Sequence, residues 1–592
     1  MISPGFEWQL PDPLLDPPAF VGFGRPVATL LARRGFHDDH QLSAFLHAGA
    51  ASLHDVSLMA DAAVALDRLE RALEQGERIA IWGDYDADGM TAVVVWSMAL
   101  RALGAEAVRH VPDRLADGYG LSNAGLERLA AAGVALVVTC DCGIVNVAEV
   151  EHARTLGMDV IVTDHHLPSG ALPGAVAVVD PHRPDCTYPD ADLTGAGIAY
   201  KLASALLERR GGFAPDLAAV AAIGTIADLA PMTGESRAIV GLGLQELAIT
   251  RRAGLRALLT RACEVPEAPT ARDLGYGIAP RINAAGRIAE AELAISLLLA
   301  EQPADAERIA EELEAVHRAR RDMTTAAVAQ ATELVAALTG EGPLAIRHEA
   351  WAPGIVGLIA GRLADRLGRP VAVAAPAGDE LRGSVRAPTD FHAAAALDAC
   401  ADLLLKRGGH AGASGFSIAH DRWDAFVQRF GALPRPFPEA TGTEPQVAGH
   451  LAVDLVLPAA HLGWSLADEI ARLAPFGPGH VEPVLAVTGL RVGDARRIGP
   501  DGRHMSLRML RGAETFDAIA FGYPADRPLP EEGSLVDLVG TLERDTFQEQ
   551  PRLRLRFVDY ATADASPLAT RRREAARPRN AALSIGSPVA AG

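Results

Sequence analysis

Lysine is almost missing from this chain. Only Lys201 and Lys406 carry an ammonium group among 592 residues, so nearly all of the positive charge is arginine. Codon bias in a GC-rich, alanine-loving genome is the plainer account of that skew. The chemical one is that a planar guanidinium suits forked phosphate recognition. Positive charge is also in deficit overall. The formal net charge of −20 excludes indiscriminate nucleic-acid binding through the whole surface, while leaving room for a local basic groove. Cysteine is scarce, five residues scattered along the chain, and an odd number of that kind makes no disulfide framework. Cys140 and Cys142 flank Asp141, but C-x-C alone is poor zinc spacing, and both read as small buried residues beside a site. No uninterrupted apolar stretch is long enough to span a bilayer, and Met1-Ile2-Ser3-Pro4 opens without the basic region and apolar run of a signal peptide. A cytoplasmic protein with no membrane association is expected.

What is present describes a folded chain of about three or four domains, with 49% hydrophobic and 22% charged residues. Residues 1–55, Pro-rich with Trp8, read as a lead-in packed on the first domain. From 56 to 290 short apolar runs alternate with amphipathic segments. Strands are expected at 78–82, 105–111, 134–139, 159–163 and 176–179, and helices at 60–75, 91–103, 122–132, 146–156 and through 195–259. Continuous apolar strands separated by helices imply a parallel sheet covered on both faces. Residues 291–342 read as a long connecting helix with a break at Pro303, placing Ile309, Leu313, Val316, Met323, Ala327 and Leu334 on its apolar face. A smaller α/β unit follows over 343–430, with strands at 344–347, 371–374, 381–385 and 415–418 and helices at 355–367 and 391–405. Five short strands between 445 and 562 suggest an oligonucleotide-binding (OB) type of β-barrel, and residues 563–592 a disordered tail with Arg571-Arg572-Arg573.

The stretch that organises the chain is Trp82-Gly83-Asp84-Tyr85-Asp86-Ala87-Asp88-Gly89, between a buried strand and an apolar helix. If it stays extended, Asp84, Asp86 and Asp88 point to one side, because side chains alternate along a strand. Carboxylates crowded there repel one another unless a cation neutralises them, and hard divalent ions want such an oxygen cluster. An isolated D-x-D is as readily a solvated acidic turn. Here three further segments add to it: Asp141 after the 134–139 run, Asp164-His165-His166 after 159–163, and Asp228 in Gly224-Thr225-Ile226-Ala227-Asp228. A lone Asp at a strand end is usually a cap or turn, and a His-His pair is often surface decoration. Four segments in series point instead to a shared metal site at the carboxyl ends of the strands. Carboxylates with imidazoles and no thiolate cluster suit Mn²⁺ or Mg²⁺. Enough ligands for two ions suggests a bridged pair, about 3.5–4 Å apart, acting on a phosphodiester or phosphoanhydride.

Taken together and in this order, Asp84-Tyr85-Asp86-Ala87-Asp88-Gly89, Asp141, Asp164-His165-His166 and Asp228 resemble the four motifs of the DHH phosphoesterase superfamily. Within it the chain is similar to the bacterial single-strand-specific 5′→3′ DNA exonucleases. The similarity continues through Arg281-Ile282-Asn283-Ala284-Ala285-Gly286-Arg287, Gly354-Ile355-Val356-Gly357, Arg382-Gly383-Ser384 and Gly408-Gly409-His410-Ala411, and covers roughly residues 50–560. The resemblance implies a DHH catalytic domain over 56–290, a DHH-associated domain over 343–430 and an OB-fold over 445–562. It implies that Asp84 and Asp86 hold one Mn²⁺ or Mg²⁺ ion, that Asp88, His165 and Asp228 hold the other, and that Asp141 bridges them. His166 would sit beside the scissile phosphate or simply orient a ligand. Arg114, Ser384 and Arg386 would grip a 5′-phosphate, with Arg281, Asn283, Arg287, Gly409 and His410 as further DNA contacts. The glycine-rich turn at Gly408-Gly409-His410 is as readily structural as a phosphate contact.

Relatives of this kind carry His after the tryptophan equivalent to Trp351, where this chain has Ala352-Pro353, and Gly and Ser where it has Val385 and Ala387. The implied activity is metal-dependent, 5′→3′ degradation of single-stranded DNA to mononucleotides in repair and recombination. The expected protein is a monomer that works with a helicase and a single-strand-binding protein. Arg491, Arg496, Arg503, Arg508, Arg552 and Arg554 on the barrel offer local positive charge, or are ordinary surface arginines. Two other readings remain open, a DHH enzyme acting on short RNAs or cyclic dinucleotides and a non-catalytic DNA-binding scaffold.

Overall fold

Apolar runs that end in an acidic residue become the strands of one parallel sheet. They are β1 (Ile79–Gly83), β2 (Val108–His110), β3 (Leu136–Cys140), β4 (Asp159–Thr163) and β5 (Ala177–Val179), in the order β2-β1-β3-β4-β5. The computed structural model describes residues 5–569 except 15, 115–117, 339, 341, 438–449, 500–501, 512–513, 525–526 and 546–551. Every pairing in this sheet is parallel, with Gly83 opposite Cys140 and Thr163 opposite Val179. The next residues, Asp84, Asp141, Asp164 and Asp180, therefore gather at one edge. Both faces are covered. Ile79, Ile81, Val138, Ile161 and Val179 join one core, and Ala80, Trp82, Val137, Val160 and Val178 the other.

Helix α1 (Ala87–Ala102) begins earlier than its apolar pattern suggests. The acidic run does not stay extended. Asp86 caps the helix by accepting the amides of Asp88 and Gly89, at 3.0 and 3.1 Å, which places Asp88 in the first turn. A cap of this kind contributes about 1 kcal/mol, enough to draw a short polar run into the helix ahead of its apolar face. Helices α2 (Gly195–Arg210) and α3 (Leu217–Ala227) bury almost all of their length in the same core as α1.

Helix α4 (Ala279–Ile288) leads to Ala291–Leu299 and then to the connector α5 (Pro303–Ala336), 34 residues long with Pro303 in its first turn. The connector's buried stripe is Ala306, Ala310, Leu313, His317, Arg320, Thr324, Ala327, Ala331 and Val335. Met323 and Leu334, expected inside, are exposed. The helix passes close to polar backbone at its middle, where His317 Nδ1 lies 3.1 Å from the Pro280 carbonyl, so polar side chains occupy the inner face there.

The second lobe is a mixed sheet of β6 (Leu344–Arg347), β7 (Val371–Ala377), β8 (Glu380–Arg386), β9 (Lys406–Gly409) and β10 (Ala413–Ala419), ordered β9-β10-β8-β7-β6. Helix α6 (Val356–Leu367) packs on it. The helix expected over 391–405 is confined to Ala393–Asp398 and a short turn, and β9 takes the polar residues that follow.

These lobes form one compact unit, His47–Gln446 with Pro475–Val481, the latter segment held by the Met232 amide on the Pro478 carbonyl. The second unit holds the barrel: β11 (Leu485–Ile498), β12 (His504–Arg511), β13 (Glu514–Ala520), β14 (Leu535–Asp545) and β15 (Arg552–Thr562). Its order β11-β12-β13-β15-β14 closes because β11 pairs with both β12 and β14.

The expected N-terminal boundary moves. Residues up to Leu46 belong to the barrel unit, not to the first domain. Strand Glu7–Gln9 pairs with His450–Ala452, and Trp8 is buried against Val453, Val539 and Leu568 while its indole N–H donates to Asp559. The tail does not begin at 563, since Leu568 is a core residue of this unit. Residues 570–592, with Arg571-Arg572-Arg573, lie outside the described residues. Among the described residues no helix is long and apolar enough to cross a membrane.

Candidate metal centre and phosphate cleft

Close backbone approaches bring the acidic residues together. Asp84 is buried directly after β1, and Gly89 makes room for it, since a Cβ there would stand 2.5 Å from the Asp84 nitrogen. Asn283 Oδ1 accepts the Ala87 amide at 3.0 Å and pins the loop. Asp88 accepts the Gly195 and Ala196 amides at 2.7 and 3.0 Å, at the N-terminus of α2. A Cβ on Gly195 would lie 2.5 Å from Asp141 Cβ, and one on Gly224 would lie 2.7 Å from Asp88 Oδ1. Asp141 adopts a φ of 62° to turn inward after β3.

Three sets of donor atoms each fall within 4.8 Å: Asp84, Asp86 and Asp141; Asp88, His165 and Asp228; Asp141, His165 and His166. His165 Nε2 lies 2.9 Å from Asp141 Oδ1, 3.7 Å from Asp228 Oδ2 and 3.9 Å from Asp88 Oδ2. The 2.9 Å approach is not in hydrogen-bond geometry, and among the described residues neither buried Asp84 Oδ1 nor buried Asp141 Oδ1 has a donor.

The electrostatics follow from burial. Desolvation and then Asp86 raise Asp84 and push Asp88 up to about 7. Desolvation and then Asp88 raise Asp141 and push Asp228 up to about 8. Burial and the charge of His166 bring His165 down to about 4, which keeps the ring neutral, the form that ligates. Buried oxygens without donors, carboxylates resisting ionisation and a neutral imidazole fit a hard divalent cation. The thiols of Cys140 and Cys142 are raised by burial and are not part of this donor set.

His166 is held differently. Its Nδ1 lies 2.7 Å from Asp164 Oδ1, and Asp164 also accepts the amides of Ile144 and His165 at 2.9 and 2.8 Å. Burial opposes charge on both, but the hydrogen bond prevails, raising His166 to about 9 and lowering Asp164. Asp164 thus carries a role that its position after a strand did not reveal. Tyr119 is a second such residue, donating to the Asp141 carbonyl at 3.2 Å with its oxygen 3.2 Å from His166 Nδ1. Gly195 is another, and Gly224, at the head of the segment that ends in Asp228, has a packing role that the segment did not reveal.

Cationic side chains from both lobes meet nearby. Arg386 Nη1 donates to Ser384 Oγ at 2.6 Å on β8, and Gly357 at the start of α6 leaves space, a Cβ there being 3.1 Å from Arg386 Nη2. The Arg114 guanidinium lies 3.9 Å over the Tyr85 ring, with Nε donating to the Gly286 carbonyl. Burial and then Arg114 lower Arg386 and bring Arg287 down to about 9. Among the described residues none of these three arginines has a carboxylate within ion-pair distance, and arginines so crowded make a seat for an anion. His410 stacks on His166, with ring centroids 6.1 Å apart.

Other expected contacts are used inside the fold. Arg281 donates to Glu314, the Gly277 carbonyl and the Arg261 carbonyl, which ties α4 to the connector and leaves it no free fork for DNA. Asn283 holds the aspartate loop instead. Gly409 has φ 134° in the β9–β10 hairpin, where a Cβ would meet the Ala413 carbonyl at 2.5 Å, so the hairpin itself requires glycine. On the barrel, Arg508 and Arg552 share Asp517, and Arg554 lies between Glu543 and Asp545, so much of that positive charge is offset locally.

Fold and site together define a DHH phosphoesterase. Residues 78–225 match the DHH family N-terminal domain, residues 332–433 the DHHA1 domain and residues 453–559 the RecJ OB domain. The single-stranded-DNA-specific exonuclease RecJ of Dickeya dadantii is 35% identical over 542 residues, covering 88% of this chain and 91% of that protein. That of Bacillus subtilis is 33% identical over 542 residues, covering 91% and 68%. The crystal structure of RecJ in complex with Mn²⁺ from Thermus thermophilus aligns with a TM-score of 0.78 at 31% identity, covering 94% of this chain and 79% of that one. The chain belongs to the RecJ family of single-stranded-DNA-specific exonucleases.

Proposed function

We propose that this protein hydrolyses single-stranded DNA from its 5′ end, releasing mononucleotides for repair and recombination. The observation that carries the reading is that the Asp84–Asp86–Asp141 and Asp88–His165–Asp228 donor sets adjoin where His165 Nε2 lies 2.9 Å from Asp141 Oδ1, with the Arg114 guanidinium nearby over Tyr85. Asp84, Asp86 and Asp141 would hold one Mn²⁺ or Mg²⁺ ion, and Asp88, His165 and Asp228 a second, with Asp141 between them. Bound there, such a pair supplies an activated water and counter-charge for the leaving oxygen. His166, kept charged near neutral pH by Asp164, has its Nδ1–H engaged and presents Nε2–H as its remaining donor to a phosphate oxygen. Arg114, Ser384 and Arg386 would read the extra charge of a terminal phosphate, which sets the polarity. Arg287 and His410 would complete that wall of the cleft.

The barrel would hold strand not yet cut, and a helicase and a single-strand-binding protein would deliver that strand to a cytoplasmic monomer. Digestion of DNA labelled at either end, single- and double-stranded, with Mn²⁺, Mg²⁺ or EDTA tests the reading. Loss of the 5′ label first, only from single strands and only with metal, is expected. Digestion from the 3′ end or in EDTA contradicts it.

A further inference from the structure

Helix α3 ends in a turn that normally belongs to glycine. The Ala230 amide bonds the Thr225 carbonyl, and the Leu229 amide bonds the Ile226 carbonyl, both at 3.2 Å. That pair of bonds defines a Schellman ending, whose left-handed position usually takes Gly or Asn. Here it is Leu229, with a φ of 61°. A leucine in this conformation is strained, and packing does not explain it, because the residue is 70% exposed. Glycine would relieve the backbone and remove an apolar side chain from water. Nothing in the folding of the turn favours leucine.

Its location suggests another reason. Leu229 directly follows Asp228, whose Oδ2 lies 3.7 Å from His165 Nε2. Leu167, directly after His166 on the loop that meets this one, is 63% exposed. Two loops that supply the metal centre thus each leave an aliphatic side chain in solvent just beyond it. An unpaired base has a bare apolar face with nothing stacked on it, whereas a duplex hides that face.

We propose that Leu229, one residue beyond Asp228, is the apolar seat for an unpaired base next to the scissile phosphate. It is a specificity residue that favours single strands. The proposal rests on the single-strand hydrolysis argued above.

The test pairs two variants with base-free substrates. Leu229→Gly and Leu229→Asn both suit a left-handed backbone, so neither is expected to lower the melting temperature of the full-length protein. Cleavage is measured on 5′-phosphorylated strands that are intact or carry a tetrahydrofuran residue at the first or second nucleotide. The wild type is expected to favour the intact strand about five- to tenfold in kcat/KM over one of the base-free strands, the scale of one aliphatic contact. Both variants lose that preference, because their rate on the intact strand falls to the base-free level. Variants that keep the wild-type preference, or a wild type that shows none, overturn the proposal. A wild type unable to cut the intact strand removes the functional reading first, and this proposal with it.

Discussion

Buried Asp164 and half-buried His166 form a pair in which Nδ1 of the ring stands 2.7 Å from the carboxylate. Neither is comfortable alone. Burial opposes the charge on both, and each makes the other's charge tenable.

The first prediction follows from that pair. His166 is raised to about 9, so the fraction carrying a proton is nearly complete at neutral pH and falls as pH rises through 9. Asp164→Asn removes the partner, and the ring should titrate nearer its ordinary value of about 6.5. The alkaline limb of the kcat profile should move down with it, with about a thirtyfold loss at pH 8. An unmoved alkaline limb would mean that His166 serves only to orient a ligand.

A second prediction concerns the metal-free protein. Asp88 and Asp228 are raised to about 7 and about 8, so the folded chain keeps protons that the unfolded chain has released. Their contribution to stability is fully present below the unfolded carboxylate range, near about pH 4, and is lost as pH rises through 7 to 8. In EDTA the melting temperature should fall between about pH 5 and pH 8, and saturating Mn²⁺ should flatten that slope. A metal-free melting temperature that rises over this interval contradicts the arrangement.

Much of this site was legible before any coordinates, for a simple reason. An apolar run followed at once by Asp or His marks the carboxyl end of a buried strand, and parallel strands bring those ends to one edge. What decides the finer geometry is not periodic. The Asp86 cap competes with extended backbone over a few residues, and no pattern reports which wins. Trp8 finds its partners in Leu451 on the paired strand and in Asp559, the latter 551 residues away, so its allegiance to the barrel is invisible locally. Strand β9 is exposed throughout and has no apolar alternation to announce it. Arg281 belongs to a motif that suggests DNA, yet Glu314 on the connector takes its fork.

Glycine at position 195 gives a third prediction. A methyl there meets Asp141 Cβ at 2.5 Å and Asp88 Oδ2 at 3.0 Å, with backbone rather than a flexible chain end behind it. Gly195→Ala should cost about 1–3 kcal/mol in urea unfolding and depress activity about as far as loss of a ligand. A variant with wild-type activity would show that the aspartates have slack.

End recognition gives a fourth. Arg386→Ala leaves Ser384 without its 2.6 Å partner and removes one guanidinium from the cleft. The preference for 5′-phosphorylated over 5′-hydroxyl single strands should drop about tenfold, while the metal requirement stays. Full retention of the preference would place the terminal phosphate elsewhere.

Asp141 is the residue on which the account turns, because it shares one donor set with Asp84 and Asp86 and another with His165 and His166, and its buried Oδ1 has no hydrogen-bond partner among the described residues. Replacement by alanine keeps a side chain at the positive φ but removes a buried carboxylate, and should leave circular dichroism unchanged. The decisive measurement is nucleotide release from 5′-labelled single-stranded DNA by Asp141→Ala in Mn²⁺. The account predicts no release above the EDTA background, a loss of about 10³-fold or more. Substantial turnover by that variant would contradict a metal pair joined at Asp141.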